Sequence, residues 1–219
     1  MCPSSCSTPA LALPAALAAA AAILLVAVPV TATTLAPLED DQLVDRSTLV
    51  VTGVCDAVRT EWRDGSLVTL ASIRVDRVLK GDPVGEVTVV IPGGVDLDRA
   101  VPVAVTVPGA PSILPDERVL LFLEPAGAGR GIAPRGGPAV ELAITGFAQG
   151  KLPILEAPGG EPVVRRDLAG AGLAKGHRLG ADGPRAVPLA LLAERIERRA
   201  AAERGTGSAE PLPRKEVEP

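Results

Sequence analysis

Aromatic side chains are almost missing from this 219-residue sequence: it has no Tyr, two Phe (Phe122 and Phe147) and one Trp (Trp62). Any core must therefore be built from Val, Leu, Ile and Ala. Val and Ile favour strands, because branching at Cβ suits a pleated surface and restricts rotamers in a helix. The same scarcity, with no clustered Lys and Arg, removes the stacking platforms and cationic tracks that hold nucleic acid, so no nucleic-acid partner is expected. Histidine occurs once, as His177, and cysteine three times, as Cys2, Cys6 and Cys55. Cys2 and Cys6 fall in the leader described next. Cys55 is then alone, and a single Cys makes neither an internal disulfide nor a thiolate zinc cage.

Charge is absent from residues 1–38, the first charged side chain being Glu39. Ala10 to Ala32 is almost wholly apolar and ends in Val30-Thr31-Ala32, small residues of the kind a signal peptidase reads. Residues 1–32 are therefore expected to be a removable signal peptide and the protein to be secreted or periplasmic. No Lys or Arg precedes the apolar run, and about 20 apolar residues can span a bilayer. The alternative is an uncleaved anchor, the one route by which a membrane contact is expected. Pro14, Pro29 and the Ala-rich composition weigh against it.

What the sequence has in quantity is punctuation, with 23 Gly and 22 Pro, which argues against long helices through its middle. The formal charge of −4 is uneven: residues 39–163 carry 18 acids against 11 bases, residues 164–219 carry 8 against 11. Residues 37–47 predict a short helix, with acids in the first turn and Leu43 and Val44 aimed at the core. Leu49–Val58 predicts a strand, in which Gly53 marks a bulge or a close backbone approach. Arg63-Asp64-Gly65-Ser66 is a hairpin turn. Leu67–Leu79 follows, with Leu67, Thr69, Ala71, Ile73 and Val75 on one face and Ser72, Arg74 and Asp76 on the other. Val78 and Leu79 break that phase, so a bulge is expected near Asp76-Arg77.

Glu86–Ile91 predicts a third strand, ended by Pro92-Gly93-Gly94. Val101–Val107 predicts a fourth, which Pro102 confines to an edge. Arg118–Leu123 suits a buried strand, Pro125–Pro138 a loop, and Ala139–Thr145 and Lys151–Leu155 close the set. Beyond Glu156 the strand pattern fails. Residues 164–187 read as a Gly-rich linker, Pro188–Arg204 as a helix with Leu189, Leu192 and Ile196 in a stripe, and residues 205–219 as a disordered tail. The fold class expected is all-β: a small five- to seven-stranded OB-like barrel over residues 33–163, with a short N-terminal helix and one C-terminal helix. A barrel this small fills with its own side chains.

The runs Leu43-Val44-Asp45-Arg46-Ser47 and Val50-Val51-Thr52-Gly53-Val54 resemble the opening of a family of secreted bacterial domains of unknown function. Val75–Gly81, Pro92-Gly93-Gly94, Val107–Pro111 and Phe147-Ala148-Gln149-Gly150-Lys151 match later landmarks, so the resemblance covers about residues 33–155. The strand order, with Val-Leu-Leu-Phe-Leu after the third strand, is also similar to netrin-like and tissue-inhibitor-of-metalloproteinase domains, which are OB-type barrels. Those inhibitors present an N-terminal Cys to the protease zinc and are laced by disulfides. This chain has neither feature after its leader, so their mechanism does not carry over.

The remaining candidates for chemistry each have a plainer reading. Cys55 lacks a neighbouring base and reads as a buried small hydrophobe, with an intermolecular disulfide as the alternative. His177, beside Lys175 and Arg178, reads as a solvated loop residue. Asp96 and Asp98 could give Ca²⁺ two oxygens, whereas a calcium site takes six to eight. Gly127–Gly131 lacks the Lys-Ser/Thr and helix of a phosphate loop, and Ser66, Ser72 and Ser112 have no nucleophile-elbow context. Asp56, Glu61, Asp96 and Asp98 could run acid–base chemistry only if the fold paired them. Trp62 reads as a cap on one barrel end or as an anchor for a partner. No catalytic, metal-binding or cofactor-binding residue is assigned and no cofactor is expected. The expected function is a non-catalytic binding or interaction module for an extracytoplasmic protein partner, the alternative a protease inhibitor or protease-associated accessory domain.

Overall fold

The architecture starts from two long strands and one glycine. In the computed structural model, which describes residues 34–127, 141–166, 172–173 and 186–206, β2 (Leu49–Arg63) and β3 (Ser66–Lys80) form an antiparallel hairpin. Its register slips three times, and one slip leaves Asp76 without an opposite residue, between Thr52↔Arg77 and Gly53↔Val75. This is the bulge that the broken phase of Val78 and Leu79 predicts. Gly53 sits on the opposite strand at that slip. A Cβ there would collide with the carbonyl oxygen of Arg74 and lie 2.9 Å from Ile73 Cγ2, so only glycine lets the two backbones approach this closely.

Three further strands complete a closed ring. β3 pairs antiparallel with β4 (Glu86–Pro92), β4 parallel with β8 (Glu141–Ile144), β8 antiparallel with β7 (Arg118–Pro125), and β7 antiparallel with β2. Numbered within the ring, the order is 1-2-3-5-4-1, a five-stranded Greek-key closure and the OB-like barrel expected. Its interior is filled by alternate residues of each strand: Val51 and Cys55, Ala71 and Ile73, Val87, Val89 and Ile91, Val119, Leu121 and Leu123, Leu142 and Ile144. Closure leaves no edge in the ring, and these aliphatic side chains interlock without an aromatic.

The opposite face of β2 and β7 is also dry. Val50, Leu120 and Phe122 point away from the barrel into a second core with Leu43 and Val44 of α1 (Asp40–Arg46) and Leu192, Ala193 and Ile196 of α2 (Leu189–Thr206). That two-sided burial explains why Arg118–Leu123 reads as continuously apolar. Fully burying each such large side chain stabilises the fold by about 1.5–3 kcal/mol. The helix expected at Pro188–Arg204 is present, two residues longer at its C-terminal end.

Elsewhere the structure departs from expectation. Leu49–Val58 continues as strand to Arg63, because β3 goes on pairing with it after β7 has left. The first half of β3 is buried on both faces, Val68 and Leu70 packing with Val90 and Ala126 in a third cluster. Val101–Val107 is not a barrel edge: its core, β6 (Val103–Val105), pairs with β5 (Gly94–Asp96) in a separate ribbon. Strand structure also persists beyond Glu156. β9 (Lys151–Glu156) pairs with β10 (Pro162–Val164), and β10 with β12 (Val187–Pro188), which extends the sheet outward from β7. Pro162 and Pro188 hid β10 and β12 from pattern reading. β1 (Thr34–Leu35) pairs parallel with β11 (Gly172–Leu173), inside what reads as linker. Residues 1–33, which include the expected signal peptide, residues 128–140, His177, most of residues 164–187 and residues 207–219 lie outside the described residues.

The chain leaves the barrel at a 3-10 turn, Phe147–Gly150. Gln149, 2 % exposed, accepts from the Leu38 amide at 2.7 Å and donates to the Ala36 carbonyl at 2.9 Å. One buried amide thus fastens the segment that enters α1. Next to it, Lys151 donates to the Ser112 carbonyl and pairs with Glu117 at 2.6 Å, holding the loop that precedes β7. α2 is oriented by ion pairs, Arg199 to both oxygens of Asp45 at 2.8 Å and Lys80 to Glu203 at 2.6 Å. Exposed pairs of this kind each contribute about 0–1 kcal/mol.

Candidate functional site

Beyond Val54, β2 parts from β7 and runs on with β3 alone. The β5–β6 ribbon lies across this extension. Thr60 and Thr69 are direct cross-strand partners, and their hydroxyls donate to the Val95 and Gly93 carbonyls, both at 2.8 Å. The chain reaches that position by turning at Pro92-Gly93-Gly94. Gly94 has φ +144°, and a Cβ on it would sit 2.5 Å from Thr69 Oγ1 and 2.7 Å from Thr60 Cγ2. The turn that ends β4 therefore also brings the ribbon back over the hairpin.

A polar latch closes the far end. The Trp62 indole N–H donates to Asp96 Oδ2 at 2.6 Å, Arg99 Nε donates to the same oxygen at 3.0 Å, and the Arg99 guanidinium lies 4.5 Å from the centre of the Trp62 ring. The hydrogen bond from Trp62, helped by the Asp98 amide and Arg99, holds the Asp96 carboxyl below the ordinary carboxylate range. Trp62 is thus half-buried and occupied by its own chain. On the adjacent residue, Arg63 is 5 % exposed and grips Glu141 with two bonds of 2.7 Å while its Nε reaches Glu61. Those carboxylates, Glu141 first, keep the guanidinium protonated against the cost of burial. The tip of the hairpin is thereby tied to the start of β8.

Between ribbon, barrel mouth and the Val107–Ile113 loop is a cleft of about 410 Å³. Its lining is aliphatic, from Val58, Ile91, Val105 and Ile113, with hydroxyls from Thr60, Thr69, Thr106 and Ser112. No charged and no aromatic side chain lines it among the described residues. The ribbon above carries exposed apolar side chains, Leu97 at 72 % and Val101 at 73 %. No family model and no curated protein matches the chain.

The residues singled out in the sequence are dispersed. Cys55 is fully buried inside the barrel, its Sγ 3.5 Å from the Ala57 carbonyl, and burial pushes its thiol up and out of the reactive range. Asp56 faces Arg74, Glu61 faces Arg63 and Arg59, and Asp98 contributes its amide to Asp96. Ser112 is at the cleft, and its carbonyl is the acceptor for Lys151. Among the described residues no group of three His, Cys, Asp or Glu stands close enough to hold a metal ion. Sequence reading missed Thr60, Thr69 and Arg63. The only available signal was the pairing of Pro-Gly-Gly with an apolar, Pro-bounded run ten residues later.

Proposed function

We propose that this protein is an exported, non-catalytic binding module whose site is the cleft beneath the β5–β6 ribbon. The observation that carries the reading is an uncharged cleft of ligand-pocket size at the barrel mouth, with exposed Leu97 and Val101 on the connection that joins β5 to β6. Exposed Leu and Val clustered on one projecting element are the usual mark of a contact surface. The lining offers neither cations for a phosphate or carboxylate nor aromatic faces for a sugar or base, which favours an aliphatic, uncharged partner surface. Charged groups that adjoin the lining are already engaged, Asp96 and Arg99 with each other and with Trp62, and Lys151 with Glu117 and the Ser112 carbonyl.

The test is a paired pulldown from the exported fraction. Wild-type protein recovers a specific partner, and Val105→Asp, which puts a carboxylate into the cleft, loses at least nine-tenths of it. Trp62 emission reports that the variant is folded. Equal recovery by both proteins, or no specific partner with either, overturns the proposal.

A further inference from the structure

The ribbon exposes backbone as well as side chains. Four consecutive residues, Ala104 to Val107, line the cleft. Ala104 and Val105 of β6 are among them, and Gly94 and Val95 line it from β5. The ladder pattern says which backbone groups point there. Asp96↔Val103 is a ladder pair although its neighbour Pro102 has no N–H, so that pair exchanges its own hydrogen bonds and the next one, Val95↔Ala104, is of the type that exchanges none. Ala104 therefore turns its N–H and C=O outward from the ribbon, and Thr106 follows just past the end of the strand. Among the described residues neither makes a backbone hydrogen bond outside the β5–β6 ladder.

An open edge of this kind invites another strand, and natural proteins usually blunt it with Lys, Pro or a covering element. Here Pro102 and Pro108 stand just beyond each end and supply no N–H, so the usable edge is confined to Val103–Val107. Between those stops no side chain is charged, and among the described residues no other strand pairs with this edge.

We infer that the β6 edge binds a short extended segment of a partner polypeptide by strand addition. The segment pairs with Ala104 and Thr106 and seats uncharged aliphatic side chains at alternate positions against Val58, Ile91 and Ile113. Main-chain bonds supply attachment and the uncharged cleft selects against acidic and basic segments. This inference rests on the cleft being the binding site and adds what it binds.

The probe is the blocked pentapeptide acetyl-Thr-Val-Thr-Val-Thr-amide, titrated into the purified ¹⁵N-labelled chain. Amide shifts are expected at Val103 to Val107, with slowed hydrogen exchange at Ala104. In strand pairing only alternate residues of the peptide face β6. Of two peptides, one N-methylated at its Thr and one at its Val residues, one is expected to bind at least tenfold more weakly and the other to match the parent. Ala104→Pro, which deletes a donor and leaves Val58, Ile91 and Ile113 in place, is expected to weaken the parent peptide at least tenfold. The N-methylated peptides test the pairing on wild-type protein should that variant not fold.

Equal binding by all three peptides means side-chain packing alone and overturns strand addition, leaving the cleft as the site. No shift with any peptide, together with a pulldown that Val105→Asp diminishes, overturns the peptide and keeps the cleft. No shift with an unaffected pulldown overturns both. Shifts at Val103 to Val107 that grow with protein concentration in the absence of peptide assign the edge to a second copy of this chain, and overturn the inference.

Discussion

Replacing Gly53 by Ala tests how the barrel is closed. The added methyl group would overlap the Arg74 carbonyl oxygen and press on Ile73 Cγ2 at 2.9 Å. A flexible side chain could swing aside, whereas a carbonyl held in the β2–β3 ladder can move only by opening the ladder. Overpacking of this kind costs about 1–3 kcal/mol, and an unyielding backbone partner puts the cost near the upper end. Lower chain entropy in the unfolded state returns about 0.4–1 kcal/mol when Gly becomes Ala. The net loss is then about 2 kcal/mol, or a fall of roughly 4–8 °C in Tm for a domain of this size. Gly85→Ala is the control, because a Cβ there meets nothing within 4 Å. It should melt at the wild-type temperature or slightly above. Thermal unfolding followed by circular dichroism and by Trp62 emission measures both. A G53A protein melting within about a degree of wild type, like G85A, would refute the close approach and the reason given for glycine.

Three further outcomes follow from the same structure. Asp96, held low by the Trp62 indole, gives the ribbon latch a contribution that is complete above the ordinary carboxylate value and fades as pH falls through the lowered one. Trp62 emission titrated downward from pH 5 should therefore change with a midpoint below that of a free Asp side chain, and a midpoint at or above it would contradict the assignment. Cys55, buried and with its thiol raised, should resist a thiol-specific dye in the native state at pH 8 and react on unfolding. Rapid native labelling would show an open barrel. Gln149→Leu strips the Leu38 amide and Ala36 carbonyl of their buried partner and should cost about 2–3 kcal/mol in denaturant unfolding. A loss below about 0.5 kcal/mol would mean that this amide does not fasten the entry to α1.

Much of the barrel is legible from residue pattern because each ring strand alternates or runs apolar as its neighbours require. The slip at Asp76 could be anticipated because a side-chain period of two makes any added residue visible as a change of phase. The ribbon was not. Gly94-Val95-Asp96 is too short to show a period, and Pro102 pointed to a sheet edge without saying of which sheet. β10 and β12 escaped for a related reason, since without a known neighbouring strand Pro162 resembles loop punctuation and Pro188 the first turn of a helix. The cleft was illegible in principle. Thr60 and Thr69 become a pair only through the hairpin register, and Ala104 acquires an outward-facing amide only once the β5–β6 register is known.

The second core has a consequence for the timing of assembly. Its wall, Val50, Leu120 and Phe122, is made earlier in synthesis than its cover, which includes Leu192 and Ile196 of α2, the last described element. Until those residues arrive, one side of β2 and β7 stays wet however completely the ring has paired. A chain threaded through a pore from its N-terminus would thus remain loose enough to pass until almost all of it had crossed. Removing α2 should leave a sheet that closes on itself yet sticks to whatever apolar surface it meets.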